Sequence, residues 1–122
     1  MILVDTSIWI DHLRSADAKL QTLLQNDQVV THPYVRLELA LGSIASREEV
    51  LADLALLPQA PVVKSEELVS LIEQKMLYRR GIGLTDLQLL CCALFERSIS
   101  IWTRDRRLGE TANELGLRAS LP

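Results

Sequence analysis

Short apolar blocks recur along the chain, and their spacing changes from strand-like to helix-like from one block to the next. Met1–Val4 is an apolar run that ends at Asp5, which predicts a buried first strand. Two similar runs predict further strands at Gln28–Thr31 and Ser98–Trp102. Shorter extended pieces are expected at Val62–Val63 and, as an edge strand, in the tail Leu117–Leu121.

The intervening segments have a helical spacing of apolar residues, with start and stop residues at their ends. Ser46 and Glu49 have the spacing of a capping box, and Gly81 and Gly83 predict a break. The first three predicted helices are Ile8–Leu13 with the cap at Thr6–Ser7, a helix capped by Ser15 and running to Gln25, and Pro33–Leu41. The other four are a helix capped by Ser46 and running to Leu57, a helix from Ser65 to Tyr78 or Arg79, Asp86–Phe95 with the cap at Thr85, and Arg104–Leu115 before Gly116.

This alternation of short apolar strands with helices predicts an α/β fold. A mainly parallel sheet covered by helices on both faces is expected, because parallel strands are joined by helical crossovers. The chain has no internal repeat, linker or low-complexity tract, so residues 1–122 are interpreted as one domain.

The amino-acid composition is typical of a globular protein that can bury its own hydrophobic core. Of 122 residues, 48% are hydrophobic and 24% are charged. The net charge of −3 argues against bulk electrostatic binding of nucleic acid. It does not exclude a nuclease, because metal-binding carboxylates add negative charge while phosphate contacts need only a local basic rim.

The cysteines and the amino-terminal segment favour a reduced, cytoplasmic protein. Cys91 and Cys92 are neighbours whose side chains diverge on a helix, so they are not expected to form a disulfide. Met1 leads into Ile2–Val4 without the pattern of a secretory signal. No apolar run approaches the about 18 residues of a membrane span.

Four acidic residues stand at positions where a shared site is expected. Asp5 ends the first strand, and Asp105 lies just past the strand Ser98–Trp102. In open α/β sheets, ligands gather at the carboxyl ends of the strands. Glu38 and Asp86 lie among leucines on predicted helices, and Asp86 is in a first turn, where the helix dipole favours an acid.

Each acid also has an ordinary explanation. Asp5 is then a turn or cap residue, Glu38 a solvated helix position, Asp86 a first-turn charge, and Asp105 a surface partner of neighbouring arginines. The combination is more specific, because carboxylates about 4 Å apart repel by about 4 kcal/mol per pair and need protons or cations to neutralise them. Mg²⁺ or Mn²⁺ suits an all-oxygen site.

Four blocks of the sequence resemble the blocks of PIN-domain ribonucleases, in the same order. They are Val4–Ile10, Arg36–Gly42, Gly83–Leu87 followed by an apolar helix, and Ile101–Asp105. The resemblance is greatest to VapC-type toxins of type II toxin–antitoxin pairs. It implies a three-layer α/β/α sandwich and an endoribonuclease that depends on Mg²⁺ or Mn²⁺.

The same resemblance implies roles for individual residues. Asp5, Glu38, Asp86 and Asp105 are the expected catalytic and metal-binding acids. We expect Asp5 to hold the metal most directly, Asp86 and Asp105 to share it or hold a second ion, and Glu38 to complete the site or orient a water. Supporting hydroxyls that orient carboxylates or water are expected at Thr6, Ser7 and Thr103.

Other side chains have less specific expectations. His12 and His32 match no catalytic block and are interpreted as surface or packing residues. Candidate phosphate contacts, each equally explained as solvated surface charge, are Arg36, Arg79, Arg80, Arg104, Arg106 and Arg107. The sequence departs from the family pattern at Leu108, where an aromatic is frequent, and at Cys91 and Cys92, where small residues are usual.

The resemblance implies two protein partners. One is an antitoxin whose C-terminal segment lies over the acidic groove, and the other is a second copy of the chain. The apolar face around Ile8 and Trp9 is a candidate dimer contact, although Trp9 is equally explained as a core residue.

Two alternatives remain open from the sequence. The first is a PIN-domain nuclease that works in RNA processing or on DNA without a toxin role. The second is an α/β signalling module with an acidic metal pocket, similar to a receiver domain. Such a module needs a positioned lysine, and Lys64 is the only lysine near a predicted strand end.

Overall fold

Three short parallel strands form the centre of the computed structural model, which describes residues 1–122. They are β1 (Ile2–Val4), β2 (Val29–Val30) and β3 (Ser100–Trp102), and β1 lies between the other two. Leu3 on β1 is paired with Val30 on one side and Ile101 on the other. This register brings the carboxyl ends of β1 and β3 side by side.

Two isolated bridges widen the sheet beyond its three strands. Arg118 pairs with Ile101 in parallel, so the predicted edge strand in the tail is reduced to a single bridge. On the other edge it is Gln59 that pairs with Thr31. The predicted extended piece at Val62–Val63 is therefore not part of the sheet.

Seven helices flank the sheet and complete the three-layer α/β/α sandwich that the sequence predicts. No helix combines the length and the apolar character that are needed to cross a membrane. The helices are α1 (Thr6–Arg14), α2 (Ala18–Gln25), α3 (Pro33–Leu41), α4 (Arg47–Leu56), α5 (Ser65–Lys75), α6 (Leu84–Phe95) and α7 (Arg106–Glu114).

The helices are where the sequence places them, but several are capped by a different residue. Asp5, and not Thr6–Ser7, is the N-cap of α1, and Asp17, and not Ser15, is the N-cap of α2. In both cases an extended backbone directs the carboxylate back onto the amides of the first turn. In each case the aspartate lies within two residues of the predicted cap, and the backbone path decides between them.

The predicted capping box of α4 is wrong. Ser46 has a left-handed backbone with φ of 51°, and its side chain makes no capping hydrogen bond. In this conformation its hydroxyl cannot point back along the helix as the spacing from Glu49 suggested. The helix itself is present, with Glu48 and Glu49 in its first turn.

Three further boundaries are shifted. Helix α5 ends at Lys75, before Tyr78, because Met76 takes a left-handed conformation and the Leu77 amide bonds back to Ile72. Helix α6 begins at Leu84, so Thr85 lies inside it and Gly83 is the N-cap. Helix α7 begins at Arg106, two residues after its predicted start at Arg104, and Asp105 is its N-cap.

The hydrophobic core lies between the sheet and the helices. It includes residues for which the sequence suggested other roles. Ile8 is fully buried and Trp9 is only 5% exposed. The suggestion that they form a dimer contact is therefore wrong, because they face the core. Cys91 and Cys92 are buried free thiols on α6, and burial raises their pKa to about 12 and about 11 respectively.

Candidate active site

All four predicted acids lie around the carboxyl edge of the sheet. Asp5 directly follows β1, and its amide donates to the carbonyl of Trp102 on β3 at 2.9 Å. The chain then reaches Asp105 three residues beyond Trp102. Helices α3 and α6 bring Glu38 and Asp86 to the same region, where both line one cavity.

Asp5 is buried, and its orientation is fixed by two hydroxyl groups. Ser7 Oγ and Thr103 Oγ1 each donate to Asp5 Oδ2 at 2.7 Å. These hydroxyls in turn accept from backbone amides, that of Arg104 for Ser7 and that of Asp105 for Thr103, both at 3.0 Å. Because amide donors occupy the acceptor side of each hydroxyl, its proton is directed at Asp5.

Each of the four acids keeps one carboxylate oxygen that accepts no hydrogen bond from the protein. On Asp5 this is Oδ1, which retains contact with solvent although the residue is buried. The other acids use their second oxygen locally: Glu38 Oε1 accepts from Thr6 Oγ1 at 2.6 Å, Asp86 Oδ2 from the Gly83 amide at 3.2 Å, and Asp105 Oδ1 from the Leu108 amide at 2.9 Å.

The fold disfavours the ionised form of the Asp86 carboxyl group. Its pKa is raised from 3.8 to about 6. Removal of water by burial is the main cause; the Gly83 amide opposes it, and the charges of Asp5, Asp105 and Glu38 add to it. Such a carboxylate is destabilised in its ionised form unless a cation is near.

The chemistry of the site fits a divalent cation bound by oxygen. Four acids with free oxygens and mutual repulsion are what Mg²⁺ or Mn²⁺ would neutralise. As the side chains stand, no three of them are close enough to hold one ion together. The oxygen of each acid that accepts no hydrogen bond is the one that is available to a cation.

Two cavities of opposite character flank the acids. The one beside Glu38 and Asp86 has a volume of about 400 Å³, and four larger side chains form its apolar wall: Tyr34, Leu37, Leu41 and Leu84. Leu84 is 72% exposed although it is apolar. The other cavity, of about 520 Å³, begins at Asp105 and has only charged residues and Gly81 in its wall.

Two of the six candidate phosphate-binding arginines are committed to holding the fold. Arg36 Nε donates to the Leu51 carbonyl at 2.9 Å. Arg104 stacks over the Trp102 ring, and each of its three guanidinium nitrogens has a partner: the Pro122 carbonyl, Asp11 and Asp17. The hydrogen bond from Arg104 lowers the pKa of Asp17 below its ordinary value. Arg104 is therefore not free to bind a phosphate without losing these contacts, whereas Arg36 keeps both Nη nitrogens without a partner.

The other four arginines differ in whether an acid neutralises them. Arg80 forms an ion pair with Glu114, and Arg106 forms one with Glu110 on the next turn of α7. Arg79 and Arg107 form no ion pair or side-chain hydrogen bond and are exposed. The sequence could not rank the six, because the acids that occupy Arg80 and Arg104 are distant along the chain.

Comparison with known proteins agrees with this geometry. Residues 2–114 match the family model of the PIN domain, a range that contains all four acids. The chain belongs to the PIN-domain family. This PIN domain is 48% identical over 117 residues to Ribonuclease VapC32 of Mycobacterium tuberculosis, in strain CDC 1551 / Oshkosh and in strain ATCC 25618 / H37Rv. The alignment covers 96% of this chain and 94% of each relative, which places the chain among the VapC proteins.

Sequence reasoning missed several residues around this PIN-domain site. Asp11 and Asp17 hold Arg104, and no local pattern connects them with it. Gly83 was interpreted as part of a break and as the start of a block that resembles the family, but not as a residue whose amide donates to Asp86. The available signal was the spacing from Gly83 to Asp86, which is that of an N-cap and an acid at the third helical position.

The receiver-domain alternative is not supported. Lys64 forms no ion pair with any acid of the site and lies exposed before α5. Membership of the PIN family accounts for the four acids without a positioned lysine.

Proposed function

We propose that this protein is an endoribonuclease that hydrolyses RNA phosphodiester bonds as the toxin of a type II toxin–antitoxin pair. One observation carries the proposal: four carboxylates from four separate elements surround one edge of the sheet, and each keeps an oxygen free. The name of the VapC32 relatives, which are ribonucleases, supports the same reaction class.

The proposal includes Mg²⁺ or Mn²⁺ as the cofactor, held by Asp5, Glu38, Asp86 and Asp105. When bound, such an ion supplies charge neutralisation at the phosphate and makes a water molecule more acidic. The free oxygens and the raised pKa of Asp86 support this assignment.

The protein's own groups position the acids. Ser7 and Thr103 both donate to Asp5 Oδ2, which leaves Oδ1 without a protein donor, and Thr6 donates to Glu38 Oε1. Buried networks of this kind hold reacting groups in one geometry at little entropic cost during the reaction. The supporting roles of these three hydroxyls are part of the proposal.

Histidine takes no part in the proposed reaction. His32 is fully buried, caps α3 through Nδ1 and contacts the Pro61 carbonyl through Nε2, and burial lowers its pKa. His12 Nδ1 accepts from the Asp17 amide. Proton transfer is therefore assigned to the carboxylates and solvent.

The proposal also covers the setting in which the enzyme works. A single nuclease domain over residues 1–122, a cytoplasmic location and a homodimer rest on the sequence and the family resemblance alone. An antitoxin segment over the acids has one further support, the exposed apolar wall around Leu84, which a bound peptide would cover.

A cleavage assay on total RNA tests the activity, with Mg²⁺, with Mn²⁺ and with EDTA. Asp5→Asn should abolish cleavage and still fold, because the amide oxygen can accept from Ser7 and Thr103. Asp53→Asn is the matched control, since Asp53 is exposed on α4 and its side chain makes no hydrogen bond. Cleavage by Asp5→Asn at the wild-type rate would exclude the assignment.

The toxin role needs a separate test, because a PIN-domain enzyme of RNA processing would pass the first one. Expression of the wild-type protein should arrest bacterial growth, and co-expression of a small protein encoded next to it should restore growth. Active cleavage without growth arrest would favour the RNA-processing alternative.

A further inference from the structure

The charged cavity beside Asp105 differs from the other main cavities of the molecule because no apolar side chain lines it. Its wall is formed by Arg80, Gly81, Asp105, Arg106, Arg107 and Glu110. Since Asp105 belongs to both the cavity and the acidic site, the cavity directly adjoins the site.

One positive charge in this cavity is uncompensated. Arg106 is paired with Glu110, and Arg80 is paired with Glu114. Arg107 has no acidic partner and no side-chain hydrogen bond, so all its donors are available. The planar guanidinium can bind two phosphate oxygens at once.

The Arg107 side chain lies directly against the backbone of Gly81. A Cβ on Gly81 would lie 2.6 Å from Arg107 Nη1 and 2.8 Å from Cδ, so a side chain at position 81 would displace the Arg107 side chain from this place. Gly81 has φ of 71°, a conformation that other residues rarely adopt. The Arg80–Glu114 pair fastens the same loop to α7.

We infer that Arg107, seated on Gly81, is the contact for one backbone phosphate of the RNA, next to the scissile bond on the Asp105 side. The inference rests on the proposed function. It selects one arginine among six and assigns Gly81 a role in RNA binding. A cation is needed here because the acids and the net charge of −3 repel a polyanion.

The first test compares RNA binding by Arg107→Ala and Arg97→Ala in the full-length protein. Arg97 is exposed in the turn before β3, at the opposite end of the sheet from the acids. Its replacement by alanine removes the same charge as Arg107→Ala does. Binding of a short single-stranded RNA is measured by fluorescence anisotropy in EDTA, over about 50 to 200 mM salt. This readout does not require cleavage.

Arg107→Ala should weaken binding by about tenfold and reduce the salt slope by about 0.7, the value for one phosphate on a single strand. The affinity of Arg97→Ala for RNA should stay within about twofold of the wild-type affinity, because a single exposed charge contributes little. Arg107→Lys should keep the wild-type salt slope but only part of the affinity, because lysine retains the charge and lacks the planar guanidinium that binds two oxygens. Gly81→Ala should weaken binding in the wild-type background and not in the Arg107→Ala background.

The decisive test uses RNAs in which one linkage at a time is an uncharged methylphosphonate. In wild type, neutralising one particular phosphate should weaken binding by about as much as Arg107→Ala does. In Arg107→Ala the same substitution should have no further effect. Equal losses at that linkage in both proteins, or no measurable RNA binding by wild type, would overturn the inference. Failure of the total-RNA cleavage assay, by contrast, would overturn the proposed activity and not this contact.

Discussion

Replacing Asp86 by Asn is expected to stabilise the metal-free protein while abolishing its proposed activity. The folded chain raises the pKa of Asp86 from 3.8 to about 6, mainly by burial and then through the charges of Asp5, Asp105 and Glu38. At neutral pH this carboxylate is ionised, although burial and the neighbouring charges both disfavour the ionised form. Asparagine removes the charge, and its side-chain oxygen can still accept from the Gly83 amide.

The size of the effect follows from the two pKa values. The difference between 3.8 and about 6 corresponds to about 3 kcal/mol, since each pKa unit is worth roughly 1.4 kcal/mol. Asp86 retains contact with solvent, which screens part of the repulsion, so we expect a gain of about 2 kcal/mol in the free energy of unfolding. For a domain of this size that is a rise in Tm of about 6–10 °C.

The pH dependence gives this prediction its distinctive signature. As pH rises from about 4 to about 6, the unfolded chain has already lost the Asp86 proton and the folded chain still holds it. Wild-type stability therefore falls relative to the variant across this window. The difference in Tm should be close to zero below pH 4 and constant above about pH 6.5. Thermal unfolding in EDTA at a series of pH values measures it.

Divalent metal should reverse the order of stability. Mg²⁺ that binds only the folded state adds stability to wild type as its concentration exceeds the dissociation constant, and Asp86→Asn should gain less. Asp53→Asn, in contrast, should show neither the pH dependence nor the loss of the metal effect. A variant less stable than wild type at neutral pH in EDTA, or a difference that does not vary with pH, would refute the reasoning.

Three further substitutions test other parts of the molecule. Thr103→Val should reduce cleavage by at least about tenfold and cost about 2 kcal/mol of stability, because it removes a donor to Asp5; unchanged kinetics would exclude a positioning role. Gln88→Leu should cost about 2–4 kcal/mol in chemical denaturation, because it leaves the Val63 amide and carbonyl unpaired in the core; a neutral result would show that water replaces it. Arg104→Ala should lower Tm without changing the salt slope of RNA binding, and a reduced slope would return this arginine to the phosphate contacts.

Local patterns determined which segments are helices and strands and in what order they come. The run Met1–Val4 and the strand at Ser100–Trp102 were predictable because an apolar block between turn residues is a property of adjacent residues. So was the position of Asp5 at a strand end. The parallel arrangement, and with it the meeting of Asp5 and Asp105, followed from the alternation of strands and helices.

The caps and helix ends were less predictable although they are also local. Ser15 and Asp17 are both good N-caps, and only the path of the backbone between α1 and α2 selects Asp17. Ser46 has the sequence of a cap but lies in a left-handed conformation. These choices depend on how the flanking helices pack, which several residue types tolerate.

Contacts between distant residues were decided by the tertiary structure alone. Thr6 meets Glu38 because α1 packs against α3, and Arg104 meets Asp17 because β3 lies beside β1. The sequence contains the charges and hydroxyls but not their partners, since any arginine can pair with any acid that the fold brings near. For the same reason, composition could not tell that Arg107 alone in the charged cavity is left without an acid.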